Sequence, residues 1–449
     1  MEVGRRAVVI GAGMGGLAAA KALSPYFVQV TVLERDALPD KAAPRPGTPQ
    51  DRHIHGLLPG GFNALDELFP NFRMRLEHAG AIRARGGRDV LMERPGFDPF
   101  PQRDLGYDMF GLSRPLLEHI CRTQVEQEPN IAVQSRSRVT DLIVTADRSA
   151  VVGVAFKNGD ERIETIAADL TVDASGRAAP TLALLEKTGR SKPEEFEIGI
   201  DLAYATALLE IPDDSPAQWT GLMHLPKAPQ STRAGFLFPI ENRRWLVGLG
   251  GLHGDTPPVD HDGFLAFAKS LRRPTLYDAI KMAKLVGDIV RYRFPGSIRR
   301  RFDRLEGFPR GLIPIADSVC RFNPVFGQGM SVAAQEAVAL GRLLESRLKH
   351  SDPLDGLAAA FLLDIQDLLE SPWGIAETDF AYDQTRGVRP PDLAKRLRYA
   401  TALVRLAAED EAVHRLVFEV RSLLRPPSVL REPELAARVM ALMEPVGNA

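Results

Sequence analysis

Ala7-Val-Val-Ile-Gly11-Ala12-Gly13-Met-Gly15-Gly16-Leu-Ala-Ala-Ala20 is the stretch that decides the fold. Its four leading apolar residues read as a buried parallel strand, because a strand covered on both faces has no polar side to alternate with. Glycines at 11, 13 and 16 then precede a run of good helix formers. In such a strand–turn–helix Gly11 permits the tight turn, Gly13 lets backbone amides approach a pyrophosphate, and Gly16 lets helix and strand pack closely. The unpaired N–H groups and partial positive charge of the helix N-terminus complete an anion site. A second strand, Val28 to Leu33, ends at Glu34, 18 residues past Gly16, where a carboxylate accepts hydrogen bonds from a ribose. Together these features predict a dinucleotide site, with Ala12, Gly15 and Arg35 as its immediate flanks.

Composition sets the frame for that site. A chain of 449 residues holds two or three domains, and 45% hydrophobic with 25% charged residues is ordinary for a soluble globular protein. A net charge of -2 gives no reason to expect nucleic acid or an anionic membrane as partner. Arg299, Arg300, Arg301 and Arg304, interleaved with Asp303 and Glu306, read as a solvated face. The first apolar run is the dinucleotide strand rather than a secretory signal. No window approaches the roughly 18 apolar residues of a spanning helix, so no stable membrane insertion is expected. Cys121 and Cys320 alone indicate neither a disulfide framework nor a zinc site. The expectation is a cytoplasmic protein.

Past Glu34 runs a long loop, Asp36 to Gly61, containing Arg45-Pro-Gly-Thr-Pro-Gln50-Asp-Arg52-His53-Ile-His55-Gly56. Loops of this length inside a compact domain are usually functional. His53 and His55 would face the same side of an extended segment. No third ligand sits at metal-binding spacing, so a loop lying over the cofactor is expected instead. Residues 62–72 have helical spacing, and 81–93 read as a strand pair around Gly86-Gly87. Ser113 as N-cap and Pro115 just inside open a helix running to about Glu126. Arg114 lies in its first turn, where a cation is unfavourable unless an anion is near; it reads as a surface arginine or as a phosphate contact.

Short strands follow at Ile131 to Gln134, Val139 to Val144 and Val151 to Lys157, then Ala168 to Asp173 with the turn Ala174-Ser175-Gly176-Arg177. From about Thr188 to Gly251 longer alternating strands predict an antiparallel sheet, one face of which can floor a substrate pocket. Tyr204 on that sheet faces either substrate or core. The second focus of chemistry is Gly311 to Ser331. A short strand delivers Asp317 to a loop carrying Pro324, Gly327, Gln328, Gly329 and Met330, which runs into a helix. The glycines admit a flat ligand, and the helix N-terminus stabilises negative charge on it, as a reduced flavin requires. Asp317 could accept from ribityl hydroxyls. Cys320 reads as a small buried thiol rather than a covalent flavin link. Beyond Asp352 the chain reads as helices broken at Pro390-Pro391 and Pro426-Pro427.

Three separated stretches point one way: Gly11-x-Gly13-x-x-Gly16 with Glu34, Asp173-Ala-Ser-Gly176-Arg177, and Ala316-Asp317 with Pro324 and Gly327-Gln-Gly-Met330. Together they resemble the flavoprotein monooxygenases of the para-hydroxybenzoate hydroxylase fold. The stretch from Arg45 to His55, Ser113-Arg114-Pro-Leu-Leu-Glu118, Arg321 to Met330 and Ser371-Pro372-Trp373 look like the bacterial squalene-epoxidase-like branch, with its polyether epoxidases. The resemblance implies an α/β fold: a Rossmann-like FAD-binding domain of GR2 type, an inserted antiparallel-sheet substrate domain and a C-terminal helical region. The expected divisions are 1–80, 106–187 and 301–350 for FAD binding, 81–105 and 188–300 for substrate, and 351–449 for the helical region.

Carried over, the resemblance places Gly11, Gly13 and Gly16 at the pyrophosphate and Glu34 at the adenosine ribose. It places Arg114 at the pyrophosphate or ribityl chain, Val139 at the adenine and Asp317 at the ribityl region. Pro324 and Gly327 to Met330 would line the isoalloxazine, where a C4a-hydroperoxide forms and transfers oxygen from O2 to an apolar small-molecule substrate. Arg45, His53 and His55 are the candidates near the flavin, each of which could instead hold the loop, and Tyr204 is the candidate toward substrate, which could instead pack in the core. NAD(P)H is the expected electron donor, directly or through a separate flavin reductase, although no second glycine fingerprint binds it. Two departures stand out: Ala316 replaces the glycine usual before the aspartate, and Asp173-Ala-Ser replaces Asp-Gly. They leave room for a reductase, dehydrogenase or halogenase on the same scaffold, or for a non-redox cyclase with structural FAD. No Trp-x-Trp-x-Ile-Pro stretch of halogenases is present.

Overall fold

Gly4–Ile10 and Phe27–Leu33 pair in parallel at the centre of a five-stranded sheet. Leu170–Asp173 and then Leu312–Pro314 extend it on one side and Ile131–Gln134 on the other, all parallel. These residues belong to a computed structural model that describes residues 2–213 and 218–443. Both faces of the sheet are covered over the C-terminal halves of the two central strands, where Ala7 to Ile10 and Val30 to Leu33 are buried without a break. Ala7, Val9, Val30 and Val32 pack with Leu17, Phe62, Leu65 and Leu340 on one side. Val8, Ile10 and Leu33 pack on the other with Leu142, Val154 and Phe156 of a three-stranded ribbon, 138–144, 151–157 and 163–167.

The helix Met14–Leu23 leaves the first strand through Gly11, whose φ of 99° only glycine adopts freely. A side chain at Gly16 would collide with the carbonyl oxygen of Gly11, so helix and strand meet at that missing atom. The long helix Gly329–Ser346 lies against Met14–Leu23 across small residues, Gly341 facing Ala22.

A seven-stranded sheet stands apart, in the order 320–321, 290–300, 195–210, 244–251, 234–240, 221–224 and 90–93. Here the strands alternate. Ala205, Ala207, Leu237, Val247 and Leu249 meet Phe264, Phe267, Leu276 and Ile280 of the helices His261–Lys269 and Thr275–Ile280. Tyr204, Thr206, Phe236, Phe238 and Leu246, one residue out of phase, face the opposite side. The C-terminal region is helical over 357–364, 366–376, 393–409, 411–421 and 433–441. Glu411–Arg421 stacks Phe418 on Tyr107 at 5.7 Å, and the carbonyl of Ser422 accepts from the amide of Gly60 at 2.8 Å.

Three expectations are corrected. Ile82–Arg85 and Val90–Glu93 do not pair with each other: the first pairs with Asp108–Gly111, across the boundary expected at 105/106, and the second joins the large sheet. The helical spacing of 62–72 is two helices, Pro59–Leu68 and Phe72–His78, because Pro70 cannot continue a helix and Asn71 turns left-handed at φ 57°. The arginines at 299–304 are not one solvated face, since of the four only Arg304 is exposed. Arg300 is buried between Glu195 and the carbonyl of Ser318, Arg299 donates to Gln366, Arg301 pairs with Asp303 and Arg304 with Glu194.

Ala316, the departure from glycine, has φ 58°. A methyl group in that conformation costs about 1 kcal/mol. Ala316→Gly is therefore expected to stabilise the chain by about 1 kcal/mol in urea unfolding. A Cβ at Gly15 would stand 2.8 Å from the Ala316 Cβ, so Gly15→Ala should cost less stability in the Ala316→Gly background than alone.

Candidate FAD site and substrate cavity

The turn after the first strand is held open. Gly13 has nothing within 4 Å of where a Cβ would point, no side chain caps the helix that follows, and its first turn carries no acid. Its leading amides are free for an anion. Ala12 is buried, and its amide donates to Glu34 Oε2 at 2.8 Å, while Glu34 Oε1 accepts from the Asp36 amide at 3.0 Å. Each oxygen keeps a lone pair for a ribose hydroxyl. The Ser137 amide donates to the Glu34 carbonyl at 2.7 Å, bringing Val139 and the bulge after it alongside this end. Arg35 is exposed.

Arg45 lies at this end and not among the residues that line the cavity below. Its guanidinium is within 2.8 Å of both Asp36 and Glu118 and 3.3 Å from Glu34, and its amide donates to Asp51 at 2.9 Å. Burial would lower its pKa, but Glu118 and Glu34 outweigh that and raise it. Arg114 is likewise buried and ion-pairs with Glu118 Oε2 at 2.9 Å, yet its Nη1 is not aligned for any hydrogen bond. A buried guanidinium nitrogen with no aligned hydrogen bond fits a pyrophosphate or ribityl oxygen.

Asp173 serves the fold. Its carboxylate is fully buried and accepts from the Ser175 and Thr181 amides and the Thr181 hydroxyl, fastening the turn to the helix Ala179–Lys187. Gly176, at φ 82°, donates its amide to the Ser318 hydroxyl at 3.2 Å and so joins this turn to the Asp317 segment. Burial raises the Asp317 carboxyl to about 6, and its Oδ1 would stand 3.8 Å from a Cβ on Gly329 at the start of the long helix. Gln328 is buried with Oε1 unpartnered, and Met330 follows on the first turn. These groups fit an FAD: Gly13, Glu34 and Arg114 on the adenosine and pyrophosphate side, Asp317 and Gln328 toward the ring.

The turn Pro324–Phe326 is braced from both sides. Asn323 Oδ1 accepts from the Val325 amide at 3.0 Å, while its Nδ2 donates to Asp379 of the C-terminal region at 2.9 Å. Gly327, at φ 66°, comes so close to Gly56 that a Cβ on Gly56 would lie 3.6 Å from its Cα. Between this turn, the segment Ile54–Leu58 and the free face of the large sheet opens a cavity with about 1260 Å³ of empty volume. Tyr204, Thr206, Phe236, Phe238, Leu246, Val90, Met109, Pro324 and Gly327 are among its walls, and among the described residues no Lys, Arg, Asp or Glu lines it. His53 stands behind the wall. Its Nδ1 is 2.7 Å from Thr206 Oγ1, its ring meets Tyr204 edge-on at 4.6 Å, and burial holds it neutral with a pKa lowered to about 3. His53 thus buttons the loop to the sheet, and burial keeps the Tyr204 phenol protonated. Among the described residues no group of three or more His, Cys, Asp or Glu could hold a metal ion. Cys121 and Cys320 are buried free thiols.

No family model matches the chain. It is 36% identical over 352 residues to protein Rv3254 of Mycobacterium tuberculosis, which covers 76% of this chain and 73% of that one. The chain belongs to the Rv3254 family. This member is also 26% identical over 397 residues to kynurenine 3-monooxygenase of Salinispora tropica, covering 81% and 80% of the two chains. Among solved structures it is similar to the flavin-dependent brominase Bmp2, with a TM-score of 0.66 at 16% identity over 97% of this chain and 99% of that one. A flavoprotein/dehydrogenase from Cytophaga hutchinsonii gives 0.68 at 14% identity over 97% of each chain. Likeness at such identity speaks to fold: a mixed α/β flavoprotein with a parallel FAD-binding sheet, a separate sheet domain and C-terminal helices. Relatives and neighbours together support a flavin-dependent oxidoreductase.

Sequence reasoning missed Glu336. It is fully buried on the long helix, where its Oε2 accepts from the Ala316 amide at 2.6 Å and its Oε1 has no partner. A lone acid inside Ser331-Val-Ala-Ala-Gln-Glu336-Ala-Val-Ala-Leu340 was the available signal. Burial raises its carboxyl to about 8 from the ordinary 4.5. Between those values the folded chain keeps a proton that the unfolded chain has lost, so stability falls as pH rises through the window. Glu336→Gln is expected to flatten that part of the urea-unfolding pH profile and to gain about 1 kcal/mol or more at pH 8.5.

Proposed function

We propose that the chain is an FAD-dependent monooxygenase that inserts one oxygen atom from O2 into an uncharged, apolar substrate, by epoxidation or hydroxylation. The observation that carries this reading is the apolar cavity, whose walls carry no Lys, Arg, Asp or Glu among the described residues. It opens onto the turn Pro324–Gly327 that would face the isoalloxazine. When bound, FAD supplies the oxygen activation, and no side chain need act as nucleophile. The protein's part is to bind and to keep dry. Arg114 and the amides after Gly13 hold the pyrophosphate, Glu34 the ribose and Asp317 the ribityl chain. The aliphatic and aromatic walls exclude water that would quench an activated oxygen species. NAD(P)H is the proposed donor, directly or through a separate reductase. Two buried free thiols suit a reducing cytoplasm.

The same cavity argues against a zwitterionic substrate. Kynurenine carries an ammonium and a carboxylate, and burying either without a partner costs several kcal/mol. A polyketide- or terpenoid-like molecule, as taken by the squalene-epoxidase-like branch, suits the walls better.

The test follows the visible spectrum of the purified protein under anaerobic NADPH and then on admitting 18O2 with neutral polycyclic alkenes or phenols. FAD bleaching, reoxidation and one labelled oxygen in product are expected, with no turnover of kynurenine. Protein that takes up no FAD would overturn the reading. Unlabelled product, or bromination with bromide present, would move the chain to the cyclase or halogenase class.

A further inference from the structure

Within that cavity the polar wall residues, among those described, are His55, Tyr204, Thr206 and Thr220. Thr206 Oγ1 is already engaged by His53 at 2.7 Å. His55 is different in kind. Its Nδ1 lies 3.0 Å from the carbonyl oxygen of His53, and a carbonyl only accepts, so the ring proton sits on Nδ1. Nε2 then carries a lone pair and no hydrogen, and it makes no hydrogen bond among the described residues. Burial first, and the positive charge of Arg114 second, lower the ring's pKa to about 4, so the tautomer persists at neutral pH. The residue after it, Gly56, is the one that approaches Gly327, which puts His55 beside the cofactor turn.

We propose that His55 Nε2 is the substrate-orienting acceptor of this cavity: it takes a hydrogen bond from the hydroxyl of a neutral phenol or enol on an otherwise apolar substrate. The proposal rests on the flavoenzyme reading and names its substrate class. A carboxylate has no proton to offer and would face the Nε2 lone pair. An ammonium would shed its hydration where no carboxylate waits, and an ether or ketone gains nothing from an acceptor. A neutral O–H satisfies Nε2, and holding it fixes which carbon faces the turn at Pro324–Gly327. Tyr204, whose phenol stays protonated, supplies a donor in the same wall.

The experiment uses the FAD-loaded protein with estrone, whose only donor is its phenol, and estrone 3-methyl ether, which has none. Affinities are read by equilibrium dialysis between pH 5.5 and 8.5. Wild type is expected to bind estrone about tenfold more tightly than the ether, with a preference flat across that range. His55→Leu should bind both at the affinity of the ether, and His55→Gln, which restores a carbonyl acceptor, should recover part of the preference. Equal affinities in wild type, no binding of either compound, or an unchanged preference in FAD-replete His55→Leu would overturn the proposal. Should His55→Leu lose FAD, wild type and His55→Gln decide. Yellow protein without the preference removes only the role of His55; protein that takes up no FAD removes the flavoenzyme reading itself.

Discussion

The cofactor end is organised around an absent atom. With no side chain at Gly16, the helix Met14–Leu23 seats on the carbonyl of Gly11, and its first amides point at the space beyond Gly13. Everything downstream serves that approach. The long helix Gly329–Ser346 closes on the same helix through small residues, and this brings Glu336 under Ala316 and Asp317 to the start of the long helix. Backbone strain at Ala316 is held in place by that buried carboxyl group, a local cost kept by the surrounding structure.

Charge in the region is arranged as a closed set. Glu34, Asp36 and Glu118 share Arg45, and Glu118 also holds Arg114. Burial works against the ionised Glu118, yet Arg114 and Arg45 together keep its pKa below the ordinary range. Such sets lose far more on removal of one member than they gain by forming, since the remaining charges are left buried and unpaired. The loop carrying Arg45 is thereby locked at one end by ions and at the other by the contact of His53 with Thr206. A loop fixed at both ends can present His55 and Gly56 with little motion.

Much of the parallel sheet was legible because short-range rules govern it: glycine spacing, apolar runs and a terminal acid. The strand Ile131–Gln134 and the helix opened by Ser113 follow from turn and capping chemistry within a few residues. What stayed hidden depends on distance in sequence. That Val90–Glu93 joins Gly221–His224, or that Arg45 serves Glu34 and Glu118, follows from no local pattern. Arg300 looked like surface for the same reason: its partner, Glu195, arrives from a strand more than a hundred residues earlier. In the site, the dinucleotide motif could be read directly, whereas the walls of the cavity required knowing which phase of each strand faces inward.

That phase has an evolutionary meaning. Along each central strand of the large sheet, alternate residues divide their duties: Ala205, Leu237 and Val247 hold the sheet to its helices, and Tyr204, Phe236 and Leu246 shape the vacant side. Exchange within the second set alters the mould without loosening the first. A lineage built on this scaffold can therefore drift in what it accepts while its folding is left alone, and the cavity becomes the part most free to diversify.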